Sequence, residues 1–211
     1  MKESRLITID PSLTCSGWAL FSISSGELMG VGKIKAQPPG RPLSERLCDL
    51  QIKIDALLRK LEIGQGDVLI SEAQTTMRDP RAAFVVEQVR GIFESLARSF
   101  HAVVPGRINP RSVQYEILKL KGRQQCRADV KAAAVATVRH LYSESLQRLG
   151  FDAEETNLAR NQDVVDAILV GMLALSRITS ARQAGVRLEE IFDERAICER
   201  RARRKIQVAA A

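Results

Sequence analysis

The segment Leu6-Ile7-Thr8-Ile9-Asp10-Pro11 sets the fold that we expect for the chain. Its run of apolar and β-branched residues predicts a short buried strand, and Asp10 with Pro11 ends that strand on an acid. Residues 16–23 and 28–34 predict two more strands, joined by the turn Ser24-Ser25-Gly26-Glu27. The chain therefore begins with a three-stranded antiparallel meander.

Helices and strands alternate after the meander. Val68-Leu69-Ile70-Ser71-Glu72 predicts a fourth strand that again ends on an acid, and residues 102–104 predict a fifth. Helical spacing of apolar residues marks residues 43–61, 79–100, 109–120, 128–149 and 164–175. This order predicts an α/β fold, a mixed five-stranded sheet of three antiparallel strands followed by parallel strands, with helices on both faces.

Length and composition limit the organisation. The 211 residues, 45% of them apolar, fit one domain over residues 1–180 with a charged, helical C-terminal extension over residues 181–211. The four cysteines are far apart and form no C-x-x-C pair, which argues against a zinc site or a disulfide framework. No signal peptide and no membrane span are expected, so we predict a cytoplasmic protein of a bacterium or phage, with an organelle left open.

Four acids are placed where they can converge. Asp10 and Glu72 end buried strands, while Asp163 and Asp166 lie three residues apart at the start of a helical apolar stretch and therefore share one helix face. Acids at the end of a buried strand are costly unless they are paired or bind a cation. Oxygen-only clusters suit Mg²⁺ or Mn²⁺. The pattern predicts metal-assisted phosphodiester cleavage.

Each acid alone has an ordinary structural explanation. Asp10-Pro11 is a common strand-ending turn, Glu72 can pair with a buried arginine, and acids such as Asp163 stabilise helix N-termini. It is less expected that all three separate explanations apply at once, in this order of strands and helix, than that the acids form one shared site.

The acids and their neighbours resemble the motifs of the RuvC family of Holliday-junction resolvases, within the RNase H-like fold, and suggest a divergent, phage- or plasmid-type member. Matches occur in chain order at residues 7–12, 16–18, 68–72, 86–91, 109–110, 126–129 and 161–167. The resemblance implies an endodeoxyribonuclease that resolves four-way DNA junctions by paired symmetric nicks, leaving 5′-phosphate and 3′-hydroxyl ends. A twofold dimer would place two identical sites on such a symmetric substrate, so we also expect a homodimer. The apolar face of the helix over residues 81–100 (Val86, Val89, Phe93 and Ala97) is a candidate interface, and burial against its own sheet is the competing use.

The charge pattern extends this hypothesis. Two divalent ions about 3.5–4 Å apart can activate water and stabilise the leaving oxygen. We expect Asp10 to bridge two Mg²⁺ ions, with Mn²⁺ as a substitute, Glu72 and Asp166 to hold one of them, and Asp163 the other. The net charge of +7 indicates an anionic partner. The candidates for DNA contact are Arg78, Lys119, Lys121, Arg123, Arg127 and Lys131. The resemblance implies a lysine near the start of the helix that follows the match at residues 126–129, which makes Lys131 the candidate for contacting the scissile phosphate. For Lys119, Lys121 and Arg123, a solvated basic loop without DNA contacts is an equally good explanation.

One departure leaves the substrate open. The resemblance implies a stacking aromatic three residues after the strand Glu, and this chain has Thr75 there, with Met77 or Arg78 as possible replacements. Two other functions therefore stay in view. One is an RNase H-like nuclease for forks, flaps or RNA–DNA hybrids, and the other is a non-catalytic junction-binding protein.

Overall fold

A computed structural model describes residues 3–73, 79–121 and 126–192 of the chain. The strands are β1 (Arg5–Asp10), β2 (Cys15–Ser22), β3 (Leu28–Lys35), β4 (Val68–Glu72) and β5 (Val103–Ile108). The helices are α1 (Leu43–Lys60), α2 (Pro80–Ser99), α3 (Pro110–Glu116), α4 (Arg127–Arg148), α5 (Glu155–Arg160), α6 (Gln162–Ala184) and α7 (Leu188–Phe192).

The five strands form one sheet in the order β3-β2-β1-β4-β5. β1 is its central strand, pairing antiparallel with β2 and parallel with β4. β3 is an edge strand, and β5 pairs parallel with β4. The predicted mixed five-stranded sheet is confirmed. It brings the carboxyl ends of β1, β4 and β5 to the same edge, because parallel strands point the same way.

Alternation along β1 divides the core between two faces of the sheet. Ile7 and Ile9 face α1 and α2, whereas Leu6 faces α4 and α6. The prediction of helices on both faces is therefore confirmed. The helix starts at Asp79-Pro80 and Asn109-Pro110 also form as predicted, because each Ncap carboxyl or amide oxygen accepts a hydrogen bond of 2.9 Å from the backbone N–H two residues on.

The helix suggested as a dimer interface uses its apolar face inside the protein. Val89, Phe93 and Ala97 are fully buried in the core beneath α2. That face is therefore unavailable to a second chain, and the competing use is the correct one. Sequence periodicity identifies an apolar face but does not tell which surface covers it.

The longest helix, α6, lies at the centre of the second layer. It was predicted over residues 164–175 and extends to Ala184, where Gly185 ends it in the left-handed conformation (φ 61°). Its length and composition would suit a membrane span, but 61% of the most apolar window is buried within the protein. Gly171 brings α6 close to the sheet, because a Cβ there would overlap the ring of Phe21 on β2.

The predicted boundary at residue 180 falls inside α6. Beyond it, Phe192 of α7 is fully buried in the core that α4 and α6 share. The division into residues 1–180 and 181–211 stays a prediction, since residues 193–211 lie outside the described part of the chain.

Gly171→Ala tests the docking of α6. The new methyl group has to displace Phe21, so we expect the free energy of unfolding to fall by about 1–3 kcal/mol in chemical denaturation. The matched control is Gly91→Ala on α2, where a Cβ has open space and where removing a helical glycine should stabilise the protein by about 0.5–1 kcal/mol. Equal effects of the two substitutions would contradict the close contact.

Candidate active site

The register of the sheet places two of the acids side by side. Ile9 of β1 pairs with Ser71 of β4, so the next residues, Asp10 and Glu72, leave neighbouring strands at the same edge. Asp10 donates a hydrogen bond to the carboxylate of Glu72. The end of β4 is also fastened to α2, since the Ser71 hydroxyl donates to Glu94 Oε1 over 3.1 Å.

The other two acids come from the first turns of α6. Asp163 and Asp166 project into the cleft in which Asp10 and Glu72 lie, a cleft of about 350 Å³. Thr8 anchors this part of the helix, because its buried hydroxyl donates to the Ala167 carbonyl over 2.7 Å. The structure thus brings together all four acids that the sequence singled out.

Burial and mutual repulsion shift the carboxyls of Asp10, Glu72 and Asp166 toward their neutral forms. Burial, followed by the charges of Glu72 and Asp166, raises the pKa of Asp10 well above its usual range. Burial raises the pKa of Glu72 to about 7, although the hydrogen bond from Asp10 favours its ionised form. Burial also raises the pKa of Asp166 to about 6. Each side chain is partly accessible from the cleft, yet protein atoms surround most of its carboxyl group.

Two basic residues of α4 line the same cleft. Arg127 and Lys131 are one helical turn apart, and their positive charges favour the ionised form of Asp166. Lys119 and Lys121 are exposed and do not line the cleft. Thr75, Met77, Arg78 and Arg123 lie outside the described residues. The structure therefore supports Lys131 and Arg127 as cleft residues and leaves the other basic residues as predictions.

Two side chains at the site were missed by the sequence analysis. The Gln162 amide donates to Asp166 Oδ1 over 3.1 Å. Cys15 lies at the other end of the cluster, where its thiol donates to Asp163, and burial raises the pKa of this thiol to about 11, so it stays protonated. Nothing in the spacing of Cys15 signals this contact, whereas Gln162 was identifiable only as a neighbour of the acids.

The carboxylates do not form a closed cage around a metal position. Among the described ranges, no three acidic, histidine or cysteine side chains are arranged to hold an ion as they stand.

The donor set nevertheless fits a divalent cation. It consists of carboxylate oxygens, the ligands that Mg²⁺ and Mn²⁺ prefer. Burial and neighbouring carboxyl groups cause the upward pKa shifts at Asp10 and Glu72, so an added positive charge would favour the ionised forms of both.

Glu72→Gln tests the electrostatic cost of the cluster without DNA. A carboxyl whose pKa is higher in the folded state destabilises that state once it ionises, and for Glu72 this cost grows from about pH 4.5 to about pH 7. We expect the thermal midpoint in EDTA to fall between pH 5 and pH 8 in the wild type and to fall less in Glu72→Gln. At pH 8 the variant should be more stable by on the order of 1–3 kcal/mol.

The control for this measurement is Asp129→Asn, an exposed acid in the first turn of α4. It should leave stability unchanged or slightly lower, because an acid favours a helix N-terminus. Parallel pH curves for the wild type and Glu72→Gln would contradict the repulsion.

Comparison with known proteins identifies the fold. No family model matches the sequence, and no curated protein matches it. Among solved structures, Thermus thermophilus RuvC in complex with a Holliday junction substrate is 18% identical, with a TM-score of 0.59 over 87% of this chain and 98% of that one. A second Thermus thermophilus RuvC structure is 19% identical, with a TM-score of 0.59 over 85% and 96% of the two chains. The chain therefore has a RuvC-like fold.

Proposed function

We propose that this chain is a metal-dependent, structure-selective endodeoxyribonuclease that cuts four-way DNA junctions by paired nicks, leaving 5′-phosphate and 3′-hydroxyl ends. The observation that carries the proposal is the convergence of four carboxylates from β1, β4 and α6 in one cleft with a basic wall. The solved RuvC complex with a Holliday junction supports the choice of substrate. A cytoplasmic location in a bacterial or phage-infected cell fits this function.

In this proposal Asp10, Glu72, Asp163 and Asp166 hold Mg²⁺, with Mn²⁺ as a substitute. When bound, two such ions polarise the phosphate and lower the pKa of a coordinated water. Asp10 is the candidate bridging ligand because it ends the central strand and the charges of all three other acids raise its pKa. The assignment of Glu72 and Asp166 to one ion and Asp163 to the other is retained as part of the proposal.

The basic wall has a separate role. Lys131 and Arg127 lie at the boundary between the acid cleft and a second hollow of about 350 Å³ that extends along α3. Both hollows share Glu72 and Asp166, so they form one continuous groove at the acids. A phosphate held by Lys131 in this groove lies next to the carboxylates. The adjacent phosphates of the same DNA strand would then follow the groove toward α3 and the predicted contacts Lys119 and Lys121.

The homodimer remains part of the proposal, since two copies related by a twofold axis would place equivalent sites on a twofold-symmetric junction. The interface must use a surface other than the buried face of α2. Phe84, which is 73% exposed on the same helix, is the large apolar residue best placed to contribute.

A cleavage panel tests the proposal directly. Labelled four-way junctions, Y-forks, RNA–DNA hybrids and plain duplexes are incubated with Mg²⁺, with Mn²⁺ and with EDTA. We expect cleavage of the four-way junction in both metals and none in EDTA, with ligatable nicks on two strands of like polarity. Preference for forks or hybrids would favour the other RNase H-like activities, and exclusively single nicks would contradict the dimer.

Asp10→Asn separates catalysis from binding in the same panel. Cleavage should fall by about a thousandfold or more, because residues of one catalytic unit fail together. Junction affinity should be equal or tighter, since the substitution removes a negative charge near the phosphates. Asp129→Asn is the matched control and should cut normally. If the wild type binds the junction but shows no detectable cleavage with either metal, the chain is a non-catalytic junction-binding protein.

Lys131→Met tests the basic wall. Losing one phosphate contact should weaken junction binding and reduce the slope of log K against log salt by about 1. Lys60→Met is the control, because Lys60 is exposed in the last turn of α1, on the opposite face of the sheet. A salt slope unchanged from wild type in Lys131→Met would remove Lys131 from the proposed site.

A further inference from the structure

The start of α6 contains an Asn that does not cap its own helix. Asn161 occupies the Ncap position, a place where Asn usually accepts a hydrogen bond from the first-turn N–H groups, but its side chain makes no such bond. Its amide instead donates to the Asn157 carbonyl of α5 over 2.7 Å, and its side-chain oxygen accepts a hydrogen bond from Lys33 Nζ. The usual capping bond is given up for contacts with two other elements.

Lys33 reaches this Asn from the same row of the sheet as the first acid. Lys33 of β3 pairs with Gly17 of β2, and Gly17 pairs with Asp10 of β1. The three residues therefore form a line across the sheet that leads from its edge to the cleft.

Gly17, in the middle of this row, allows the helix to approach. A Cβ at Gly17 would overlap the backbone carbonyl of Asp163, so only glycine leaves room for the first turn of α6 above β2. The acid of that turn is also held by Cys15, whose thiol donates to the Asp163 carboxylate. The strands β2 and β3 carry none of the four acids, yet they contact the start of α6: Cys15 of β2 contacts Asp163, and Lys33 of β3 contacts Asn161.

We propose that Lys33 is a positioning residue which, through Asn161, fixes the first turn of α6 against the sheet and so sets where Asp163 lies beside Asp10. This inference rests on the proposed function, because the consequence of the placement is a complete metal-binding set. Lys33 touches neither phosphate nor metal in this role. It differs in that respect from Lys131, whose charge faces the cleft.

The test uses three variants of the full-length chain. Lys33→Met removes the charge and the donor but keeps an unbranched side chain, and Lys33→Arg restores a cationic donor. Lys35→Met is the matched control, since Lys35 lies two residues further along β3 with an exposed side chain. It removes the same charge from the same strand without touching the Lys33–Asn161 contact.

Two readouts are made without DNA. The first is hydrogen exchange of the amides of Val164 and Val165, which donate to the Asn161 carbonyl over 3.0 and 3.2 Å. The second is the Mg²⁺ concentration that gives half of the maximal thermal stabilisation, with Asp10→Asn as the metal-binding control. Junction affinity in EDTA and the Mg²⁺ dependence of kcat and KM are then measured for the same proteins.

In Lys33→Met we expect exchange to be about tenfold faster and half-saturation to need about tenfold more Mg²⁺, equivalent to about 1.4 kcal/mol. The effect on cleavage should appear in kcat at fixed Mg²⁺, with junction affinity unchanged. Lys33→Arg should restore most of both readouts, and Lys35→Met should match the wild type.

Three results would overturn the proposal. Unchanged exchange would show that Lys33 does not hold the helix, and faster exchange with unchanged Mg²⁺ binding would leave it a purely structural role. A loss confined to junction affinity would make it a phosphate contact. If the wild type binds Mg²⁺ through Asp10 but cuts no branched DNA, the nuclease assignment fails while the two DNA-free readouts still decide the role of Lys33.

Discussion

Four carboxylates crowded into one cleft repel one another, and the docking of α6 on the sheet is the interaction that keeps them together. Asp163 and Asp166 reach the strand acids only because this helix lies directly on β1 and β2. Its inner face is fully buried, and the Thr8 hydroxyl holds the Ala167 carbonyl one residue beyond Asp166. The free energy gained by burying apolar surface along the helix offsets the electrostatic cost at its start.

The sheet supplies the precision that such a cluster needs. Asp10 and Glu72 end two adjacent parallel strands, so backbone hydrogen bonds rather than flexible side chains set their separation. The Ser71 hydroxyl adds a connection from β4 to Glu94 of α2 on the other face. Acids carried by the sheet and by α6 therefore converge. A small movement of α6 along the sheet would change the positions of Asp163 and Asp166 and leave those of Asp10 and Glu72 unchanged.

Local patterns predicted the five strands, the longer helices and the acids, because strand alternation, helix starts and strand-ending acids are all properties of short segments. The mixed sheet and the meeting of Asp10 with Asp163 followed from assembling those segments, whereas the order of the strands and the short helix α5 were not predicted. Contacts between distant side chains did not follow. The Lys33–Asn161 and Cys15–Asp163 contacts join residues more than a hundred positions apart, and no periodicity marks them. The suggestion that the apolar face of α2 forms the dimer interface was wrong for a related reason. An apolar stripe on a helix has the same sequence pattern whether its own sheet or a partner chain covers it.

Within the described part of the chain, the strand acids Asp10 and Glu72 are paired with each other and not with an arginine, and the proposed function gives a reason for this arrangement. A guanidinium seated between Asp10 and Glu72 would satisfy both carboxylates, but it would occupy the position where, in the proposed function, metal ions and a phosphate meet. The protein instead places Arg127 and Lys131 along the cleft, where their charges favour the ionised form of Asp166. A hydrogen bond from Asp10 to Glu72 links the inner pair. In the proposed function, divalent ions displace the proton of this hydrogen bond and do not have to break a buried salt bridge. In the proposed function, the charges of the other three acids, which raise the pKa of Asp10, are neutralised by the bound ions.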